Sequence, residues 1–396
     1  MTQLSDIYIM GGARTAIGTF GGSLAAFRPA DLGSIVIREA LSRAGMAAEM
    51  VEQVAIGTVV PTQPSDAYVS RVAAVNAGVP VEAVAMNVNR LCGSGLQAIV
   101  SVAQAIRLGE CDIAIGGGAE VMSNAPRMVQ GTRFGQKLGD MALQDMMLGA
   151  LHDPFENIHM GVTAENIAER CQITREEQDA LAVESHKRAA RAIAEGRFKE
   201  QIVPVEIRTR KTETLFDTDE HVRPEVSLEA LAGLKPVFRT GGTVTAGNAS
   251  GINDGAAAVV LASGQAVNRL GLQPFARVLG WGHAGVAPNV MGLGPVKAVP
   301  VALERAGLTL DQIDVIEANE AFAAQACGVA SQLGFDPEKT NINGSGISLG
   351  HPIGATGAIL TVKTLYELRR TDGRYGLITM CIGGGQGLAM VIENCE

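Results

Sequence analysis

The sequence contains six cysteines but no Cys-x-x-Cys pair and no close-set group of histidines and cysteines. A structural zinc site is therefore not expected, and we predict no bound metal. A secretory signal is absent, and no apolar run approaches the ~18 residues of a membrane span. We therefore expect a protein of the cytoplasm with free thiols and no association with a membrane.

Charged residues are also scarce, at 18% of the 396 residues, whereas hydrophobic residues make up 47%. This balance predicts a globular protein with a large interior, and the length is sufficient for two or three subdomains. The net charge of −9 argues against broad nucleic-acid binding. It still allows an anionic ligand to bind in a local basic pocket.

Glycine is abundant, with 48 residues, and the excess lies in turns rather than in a low-complexity tract. Several glycine-bordered segments recur at an offset of about 260 residues, which indicates an internal duplication. Because the segments alternate apolar strands with alanine-rich helices, they predict a duplicated α/β fold with buried, largely parallel sheets. The recurring pairs are residues 54–57 with 314–319, 112–118 with 377–385, and 89–95 with 343–357.

The segment between the two halves, about residues 122–249, is richer in charge and methionine. Thr174 and Glu177 form a capping box that predicts a helix ending near Gly196, and a polar stretch follows at 208–220. We interpret this segment as a domain inserted over the core. Such insertions often carry substrate contacts, but a purely structural role is compatible with the same pattern.

Cys92 lies between an apolar segment at 83–88 and an apolar, alanine-rich run at 96–108. These flanks predict a strand, a glycine-rich turn and a buried helix. A thiol at a helix N-terminus faces the positive end of the helix dipole, which predicts a lowered pKa and a nucleophilic thiolate. The alternative interpretation is a small, inert hydrophobic residue of the core.

A second group of candidate residues lies in the C-terminal half. His351 precedes an apolar helix predicted at 358–368 and can act as a general base, although a histidine there can also simply cap a loop. Cys381 ends a strand before the turn at 383–387, whose bare backbone N–H groups can line an oxyanion site. Asn319 follows another strand end. Because ligands bind outside the carboxyl ends of strands in open α/β sheets, we expect these side chains to meet Cys92.

Four segments of the chain resemble the signature blocks of the thiolase family, in particular those of bacterial β-ketothiolases. They are Asn-Arg-Leu-Cys-Gly-Ser-Gly at 89–95, Asn-Glu-Ala-Phe at 319–322, Gly-His-Pro-Ile-Gly-Ala at 350–355 and Cys-Ile-Gly-Gly-Gly-Gln-Gly at 381–387. The resemblance implies an α/β fold of two duplicated βαβαβαββ halves in a layered α-β-α-β-α core. The halves would be residues 1–121 with 250–272 and residues 273–396, and residues 122–249 would form an inserted loop domain that contacts coenzyme A.

The resemblance also implies a two-step acyl transfer. Cys92 would attack an acyl-CoA thioester while His351 takes its proton, and Cys381 would then remove a proton from the α-carbon of acetyl-CoA. The carbanion would attack the acyl group to give a 3-ketoacyl-CoA, and thiolysis would be the reverse reaction. The backbone N–H groups of Cys92 and Gly383 would form one oxyanion site, and His351 with a water held by Asn319 would form the other.

Six further residues would contact coenzyme A, again by resemblance: His159, Met160, Arg223, Phe238, Ser250 and Phe322. Coenzyme A would be substrate and product, with no permanently bound cofactor, and the protein would be a homotetramer built from two dimers. One departure from the family lies before His351, where Ser345 and Ser348 replace residues without hydroxyl groups. This departure bears on the packing beneath the second oxyanion site and on the preferred acyl chain length.

Three alternatives share these features. A degradative thiolase that splits longer 3-ketoacyl-CoAs would use the same catalytic residues, with chain length set by a pocket that includes part of residues 130–151. A ketosynthase that acts on carrier proteins has the same fold but uses two histidines with one cysteine, so Cys381 argues against it. A non-catalytic binder of lipid or coenzyme A would have no need for both cysteines, His351 and Asn319.

Overall fold

Two series of strands and helices follow one another along the chain in the computed structural model, which describes residues 6–208 and 211–395. The predicted domain bounds at residues 1 and 396 lie outside the described residues, as do residues 209 and 210 of the polar stretch. The first series consists of β1 (Ile7–Arg14), β2 (Gly18–Thr19), α1 (Pro29–Arg43), β3 (Gln53–Gly57), α2 (Val69–Asn76), β4 (Val84–Val88), α3 (Ser94–Leu108) and β5 (Ile113–Val121).

A long segment of short strands and four helices follows. Its elements are β6 (Arg127–Val129), β7 (Leu143–Asp145), α4 (Met146–Ala150), β8 (His152–Asp153), β9 (Ile158–His159), α5 (Met160–Cys171), α6 (Arg175–Ala194), β10 (Val205–Arg208), β11 (Glu213–Phe216) and α7 (Leu228–Ala232). The predicted capping box begins α6, because Glu177 N donates to Thr174 Oγ1 at 3.2 Å and Thr174 N donates to Glu177 Oε2 at 2.7 Å. The helix ends as predicted, with Gly196 at a φ of +71° just beyond it.

The first series is completed by β12 (Asn253–Ser263) and α8 (Gly264–Leu270), after which the second series begins. Its elements are β13 (Ala276–Gly285), α9 (Gly294–Ala306), β14 (Val315–Ala318), α10 (Ala323–Leu333), α11 (Gly346–Leu349), α12 (Thr356–Thr371), β15 (Tyr375–Ile382) and β16 (Gln386–Asn394). The apolar runs around Cys92 and before Cys381 thus form the predicted strands and helices, while the short helix α11 was not predicted.

The two series repeat one another in order and in spacing. β3 begins at Gln53 and β14 at Val315, while α3 begins at Ser94 and α12 at Thr356, so that both pairs are 262 residues apart. The predicted duplication is therefore confirmed. The second series departs from the first at β4, in whose place β14 has only a single bridge, between Ile316 and Thr340, and at the short helix α11, which has no counterpart in the first.

One sheet runs through both halves, in the order β4-β3-β5-β12-β1 and then β13-β16-β15-β14, with β2 beside β12. The parallel pairs in its described part are β3 with β4, β3 with β5 and β14 with β15, and the other pairs are antiparallel. The prediction of largely parallel sheets was therefore wrong. The short turn at 383–385 joins β15 to β16, and so short a connection permits only antiparallel pairing. Apolar runs show burial but not strand direction.

The central helices α3 and α12 pack against each other between the two halves of the sheet. α1 covers β1, β5 and β12, and α9 covers β13, β15 and β16. The layered α-β-α-β-α arrangement is confirmed. The N-terminal ends of α3 and α12 approach so closely that a Cβ at Gly357 would lie 2.4 Å from the backbone nitrogen of Leu96.

One stretch in the described part of the chain, Leu91–Leu108, is long and apolar enough to cross a membrane by length and composition alone. No such run was expected from the sequence. It comprises α3 and the turn before it, and 61% of it is buried inside the protein. Because it packs on β3, β5 and α12, a helix in the core accounts for its apolar composition.

A buried ion pair fastens the intervening segment to the strand β1. Arg14 donates to both carboxylate oxygens of Asp219, at 2.8 and 3.0 Å, and to Gln201 Oε1 at 2.7 Å. Asp219 Oδ1 also accepts the backbone N–H of Ile17 at 2.8 Å. Neither charged side chain is accessible to water. The end of the polar stretch is thereby anchored in the core.

Candidate functional site

Cys92 lies in the turn between β4 and α3, as predicted. The preceding residue, Leu91, has a φ of +47°, a conformation that residues with a side chain rarely adopt. On the other side, a Cβ at Gly93 would lie 2.4 Å from Ile382 Cδ1 at the end of β15. The nucleophile candidate is therefore presented on a sharp, strained turn that is pressed against the other half of the molecule.

The thiol of Cys92 borders a cavity, yet it is surrounded by protein. Burial raises its pKa to about 11, while the backbone N–H groups of Gly383 and of Cys92 itself act in the opposite direction. The prediction of a lowered pKa was therefore wrong, because the local sequence reveals the helix terminus but not the segments that cover the thiol. Cys92 is a neutral thiol in the free protein and needs a base to become a nucleophile.

His351 lies between α11 and α12, and its hydrogen bonds fix its tautomer. Nδ1 is 2.6 Å from Thr356 Oγ1, and that hydroxyl donates to the carbonyl of Pro352 at 2.9 Å. The hydroxyl oxygen must therefore accept from Nδ1–H, which leaves Nε2 without a proton. Burial lowers the pKa of His351 to about 4, so the imidazole is neutral at physiological pH and Nε2 can accept a proton.

Asn319 directly follows β14, as predicted, and its Nδ2 lies 3.5 Å from Nε2 of His351. Its Oδ1 is buried and accepts no hydrogen bond from the described residues. Buried polar atoms are nearly always paired in proteins, so this oxygen marks a position where a water or a substrate atom can bind. At this position Asn319 thus supplies a free hydrogen-bond acceptor, Oδ1, next to the Nε2 atom of His351.

Cys381 is the second-last residue of β15 and is fully buried. It packs in one cluster with Met160, Met291 and Phe322. Burial, and then the neighbouring Cys92, raise the pKa of its thiol well above the ordinary value. A thiolate formed at this position is therefore a strong base.

A cavity of about 290 Å³ brings most of the predicted residues together. It is lined by Cys92, His351 and Gly383 and by five of the six predicted coenzyme A contacts, His159, Met160, Phe238, Ser250 and Phe322. Asn319 lines a second cavity of about 340 Å³ between α6 and α10 instead, and reaches the first site through His351. Arg223 lines neither cavity, and it is an exposed residue whose backbone N–H donates to His186 Nδ1 at 3.1 Å.

Aromatic rings shape the side of the first cavity that the intervening segment supplies. His159 stacks on Phe238 with ring centroids 4.6 Å apart and an angle of 15° between the planes. Phe238 in turn meets Phe322 edge to face, at 6.2 Å. Flat apolar walls with a few polar atoms suit a long, flexible ligand of methylene and amide groups.

Two buried polar residues of the site were not identified from the sequence. Glu120, in β5, accepts the backbone N–H groups of Val59 and Gly354, at 2.9 and 2.8 Å, and so connects the turn after β3 to the turn that follows His351. Asn253, in β12, accepts the N–H of His351 at 3.0 Å. Each is a polar residue in a buried strand that is mostly apolar, and that pattern is the signal that could have revealed them.

The described residues contain no group of three or more histidine, cysteine, aspartate or glutamate side chains that could hold a metal ion, and their cysteines form no disulfide. What the site does contain is a thiol on a strained turn, a neutral imidazole, and a second thiol that is enclosed beside them. This combination is typical of enzymes that transfer acyl groups through a cysteine.

Comparison with known proteins gives the family. The thiolase N-terminal domain matches residues 7–265 and the thiolase C-terminal domain matches residues 272–394. The chain is 60% identical over 390 residues to the β-ketothiolase BktB of Cupriavidus necator, with 98% of this chain and 99% of that relative covered. The chain belongs to the thiolase family and is an acyltransferase, and the resemblance seen in the sequence is confirmed.

Solved structures of the family superimpose closely on this chain. The crystal structure of the Bacillus anthracis acetyl-CoA acetyltransferase gives a TM-score of 0.97 at 44% identity, with 100% of both chains covered. Human mitochondrial 3-ketoacyl-CoA thiolase in complex with CoA gives a TM-score of 0.96 at 41% identity, again with 100% of both chains covered.

Proposed function

We propose that this thiolase is a β-ketothiolase, which joins an acyl group to acetyl-CoA and releases a 3-ketoacyl-CoA and free coenzyme A in a reversible ping-pong reaction. The observation that carries the proposal is the convergence of Cys92 and His351 at one cavity, with the N–H of Gly383 next to the Cys92 thiol. Cys381 is buried close to Cys92, in the cluster with Met160 and Phe322, which line the same cavity. The relatives named β-ketothiolase and acetyl-CoA acetyltransferase support the same reaction.

In the first half-reaction, Cys92 Sγ attacks the carbonyl carbon of the thioester while His351 Nε2 takes the thiol proton. The tetrahedral intermediate collapses and expels the thiolate of coenzyme A, which takes a proton from Cys381. The products are an acyl-thioester on Cys92, free coenzyme A, an imidazolium at His351 and a thiolate at Cys381.

In the second half-reaction, the Cys381 thiolate removes a proton from the α-carbon of acetyl-CoA. The carbanion attacks the acyl carbon, the bond to Cys92 breaks, and His351 returns its proton to the departing thiolate. Burial raises the pKa of Cys381 and so makes its thiolate a better base for a carbon acid. Because thioester α-protons are comparatively acidic, coenzyme A takes part only as substrate and product.

Two oxyanion sites belong to the proposal. The N–H groups of Cys92 and Gly383 would stabilise the oxyanion of the acyl group. Both N–H groups lower the pKa of the Cys92 thiol, which supports a position close to its Sγ. His351 and a water on Asn319 would stabilise the enolate of acetyl-CoA. The unpaired Oδ1 of Asn319 and its contact with His351 support this second assignment.

The coenzyme A contacts are proposed at His159, Met160, Phe238, Ser250 and Phe322, because these residues line the cavity that Cys92 borders. Arg223 would lie nearer the adenine end, outside this cavity. The division into residues 1–121 with 250–272, 122–249 and 273–396 remains a prediction.

We also propose the homotetramer of two dimers and a location in the cytoplasm. Val84 and Met86 are exposed on the edge strand β4, and Phe134 and Leu138 are 96% and 92% exposed. Exposed strand edges and large apolar side chains of this kind are usually covered by another subunit.

The absence of disulfides among the described cysteines supports a reducing compartment.

Trapping of the acyl-enzyme tests the proposed function. The protein is mixed with several acyl-CoAs in turn, quenched in acid and digested, and the peptide that carries the acyl group is identified by mass. We expect the adduct on Cys92 with every substrate that turns over. Cys327, in α10, is the internal control, because burial raises its pKa to about 12 and it does not line the cavity of Cys92. An adduct on a residue other than Cys92, or none, would contradict the proposal.

A degradative thiolase for longer 3-ketoacyl-CoAs is the second candidate, and an apolar cluster beside Cys92 favours some extension of the acyl chain. The cluster contains Val60, Met122, Met147 and Ile353, and Leu148 lines the cavity nearby. Because apolar walls stabilise each additional methylene group, we expect kcat/KM for thiolysis of 3-ketohexanoyl-CoA within about tenfold of that for acetoacetyl-CoA. A preference of roughly 100-fold for either substrate would contradict this expectation, and would indicate a strict short-chain enzyme or a degradative one.

A further inference from the structure

Arg90 precedes Leu91 and Cys92 and has no part in the reaction steps above, yet all three of its guanidinium nitrogens are engaged. Nε and Nη2 both donate to Gln386 Oε1, at 3.2 and 3.0 Å. Nη1 donates to Gln97 Oε1 at 2.5 Å and lies 2.7 Å from Nδ1 of His283. Because arginine only donates, His283 must accept through Nδ1 and carry its own proton on Nε2.

The three partners of Arg90 lie on three elements that meet at the site. Gln97 is in α3, the helix that follows Cys92, and His283 is in β13, which pairs with β16. Gln386 is the first residue of β16, directly after the glycine turn at 383–385, and is 296 residues away from Arg90 in sequence. Arg90 therefore connects the turn of Cys92 in one half to the glycine turn in the other.

The glycine turn has no side chains of its own to hold it in place. Gly384 and Gly385 adopt φ values of +79° and +88°. On one side the turn is anchored where the carbonyl of Gly385 accepts from Val286 N at 2.7 Å. On the side of Cys92, the hydrogen bonds from Arg90 to Gln386 anchor the residue that follows the turn.

The hydrogen-bond partners of Arg90 among the described residues are all neutral, although the guanidinium is half buried and burial lowers its pKa. The guanidinium of Arg90 is therefore held beside the turn of Cys92 by hydrogen bonds to neutral groups and not by an ion pair. What Arg90 supplies is geometry, since its planar fork holds two partners from different halves of the chain at fixed positions.

We propose that Arg90 is a positioning residue, which holds the N–H of Gly383 at the distance from Cys92 that an acyl oxyanion requires. This inference rests on the proposed function, in which Gly383 is one of the two donors. An oxyanion donor is effective only where the negative charge develops, so a turn that is free to move loses rate even though the donor is still present.

The test compares two reactions of the same thiol, acylation by acetyl-CoA and alkylation by iodoacetamide. Alkylation needs the Cys92 thiolate but forms no oxyanion. In Arg90→Met we expect the acylation rate to fall roughly 10–100-fold, with KM for acetyl-CoA unchanged. The alkylation rate should fall by a clearly smaller factor, because the N–H of Gly383 also lowers the pKa of the Cys92 thiol. Arg107→Met is the matched control, because Arg107 is another half-buried arginine, in α3, whose guanidinium lies over the ring of Trp281 and makes no contact with Gln386 in the described part of the chain. Both rates should stay at the wild-type value in that control.

Two results would overturn the inference: an unchanged acylation rate in Arg90→Met, or an equal fall of both rates, which would place the effect on the thiol or the fold. Gln386→Ala removes the same link from the other side and carries the test if Arg90→Met does not fold. The double variant should be no slower than the slower single variant, and multiplied losses would contradict a shared role. If the wild-type protein itself forms no adduct on Cys92, the proposed function fails and not merely the role of Arg90.

Discussion

Replacing Cys92 by serine is expected to lower acyl transfer by a factor of about 10⁴–10⁶ while the protein stays folded. Serine has nearly the same shape as cysteine, so the strained turn after Leu91 keeps its geometry. Its hydroxyl is far less acidic than a thiol, however, and His351, whose pKa burial lowers to about 4, is too weak a base to activate it. The measurements are steady-state thiolysis of acetoacetyl-CoA and the intact mass after incubation with acetyl-CoA, with circular dichroism to check the fold.

Cys327→Ser is the control for this experiment. The thiol of Cys327 is also largely enclosed, and burial raises its pKa to about 12, but it lies in α10 away from the cavity of Cys92. The control variant should retain wild-type turnover. Near-normal turnover by Cys92→Ser would show that the acyl group is not carried on residue 92, and the ping-pong reaction proposed here would then be wrong.

The second large effect is on stability rather than on activity. Replacing Asp219 by alanine leaves the guanidinium of Arg14 buried and without its carboxylate, and it also removes the acceptor of Ile17 N. We expect the free energy of unfolding to fall by about 3–5 kcal/mol, because an unpaired buried charge is far more costly than the loss of a surface ion pair. Urea denaturation followed by tryptophan fluorescence measures the difference, because the single tryptophan, Trp281, is buried in the core.

Glu206→Ala provides the comparison, since Glu206 pairs with Arg208 at 2.8 Å with both side chains largely exposed. That variant should change the stability by less than about 1 kcal/mol. A double variant that carries Asp219→Asn and Arg14→Met should recover part of the loss, because the amide still accepts from Ile17 N and no charge remains buried. Equal midpoints for Asp219→Ala and Glu206→Ala would show that the buried pair does not hold the intervening segment to the core.

Much of the architecture could be predicted from the sequence because the signals are local. Apolar runs bounded by glycine predict the strands β3, β5, β14 and β15. The apolar, alanine-rich run at 96–108 predicts α3, and the apolar run at 358–368 predicts α12. The capping box predicts the start of α6. The positions of Cys92, Asn319 and Cys381 at turns and strand ends followed from the same runs, and their repetition predicted the duplication.

The rest depends on residues that are distant in sequence. The pKa of Cys92 is set by the protein that encloses it, so a helix terminus alone gave the wrong direction. Strand direction depends on how β5 reaches β12 across the intervening segment, which no apolar pattern shows. Glu120 and Asn253 hold the turn of His351 across the interface of the halves, and only a polar residue in a buried strand hinted at them.

A duplicated fold offers two equivalent sets of positions for a reaction centre, and in the described part of this chain small residues occupy the positions equivalent to three of the proposed catalytic residues. At the spacing of 262 residues that relates β3 to β14 and α3 to α12, the equivalents of Asn319, Cys92 and Cys381 are Gly57, Gly354 and Ala119. A Cβ on Gly57 would lie 2.8 Å from the carbonyl oxygen of Gly354. At Gly57 and Gly354, the absence of a side chain therefore lets the backbones of the two halves come into close contact. A side chain introduced at Gly57 or Gly354 would therefore collide with the backbone of the other half before it could form a second centre.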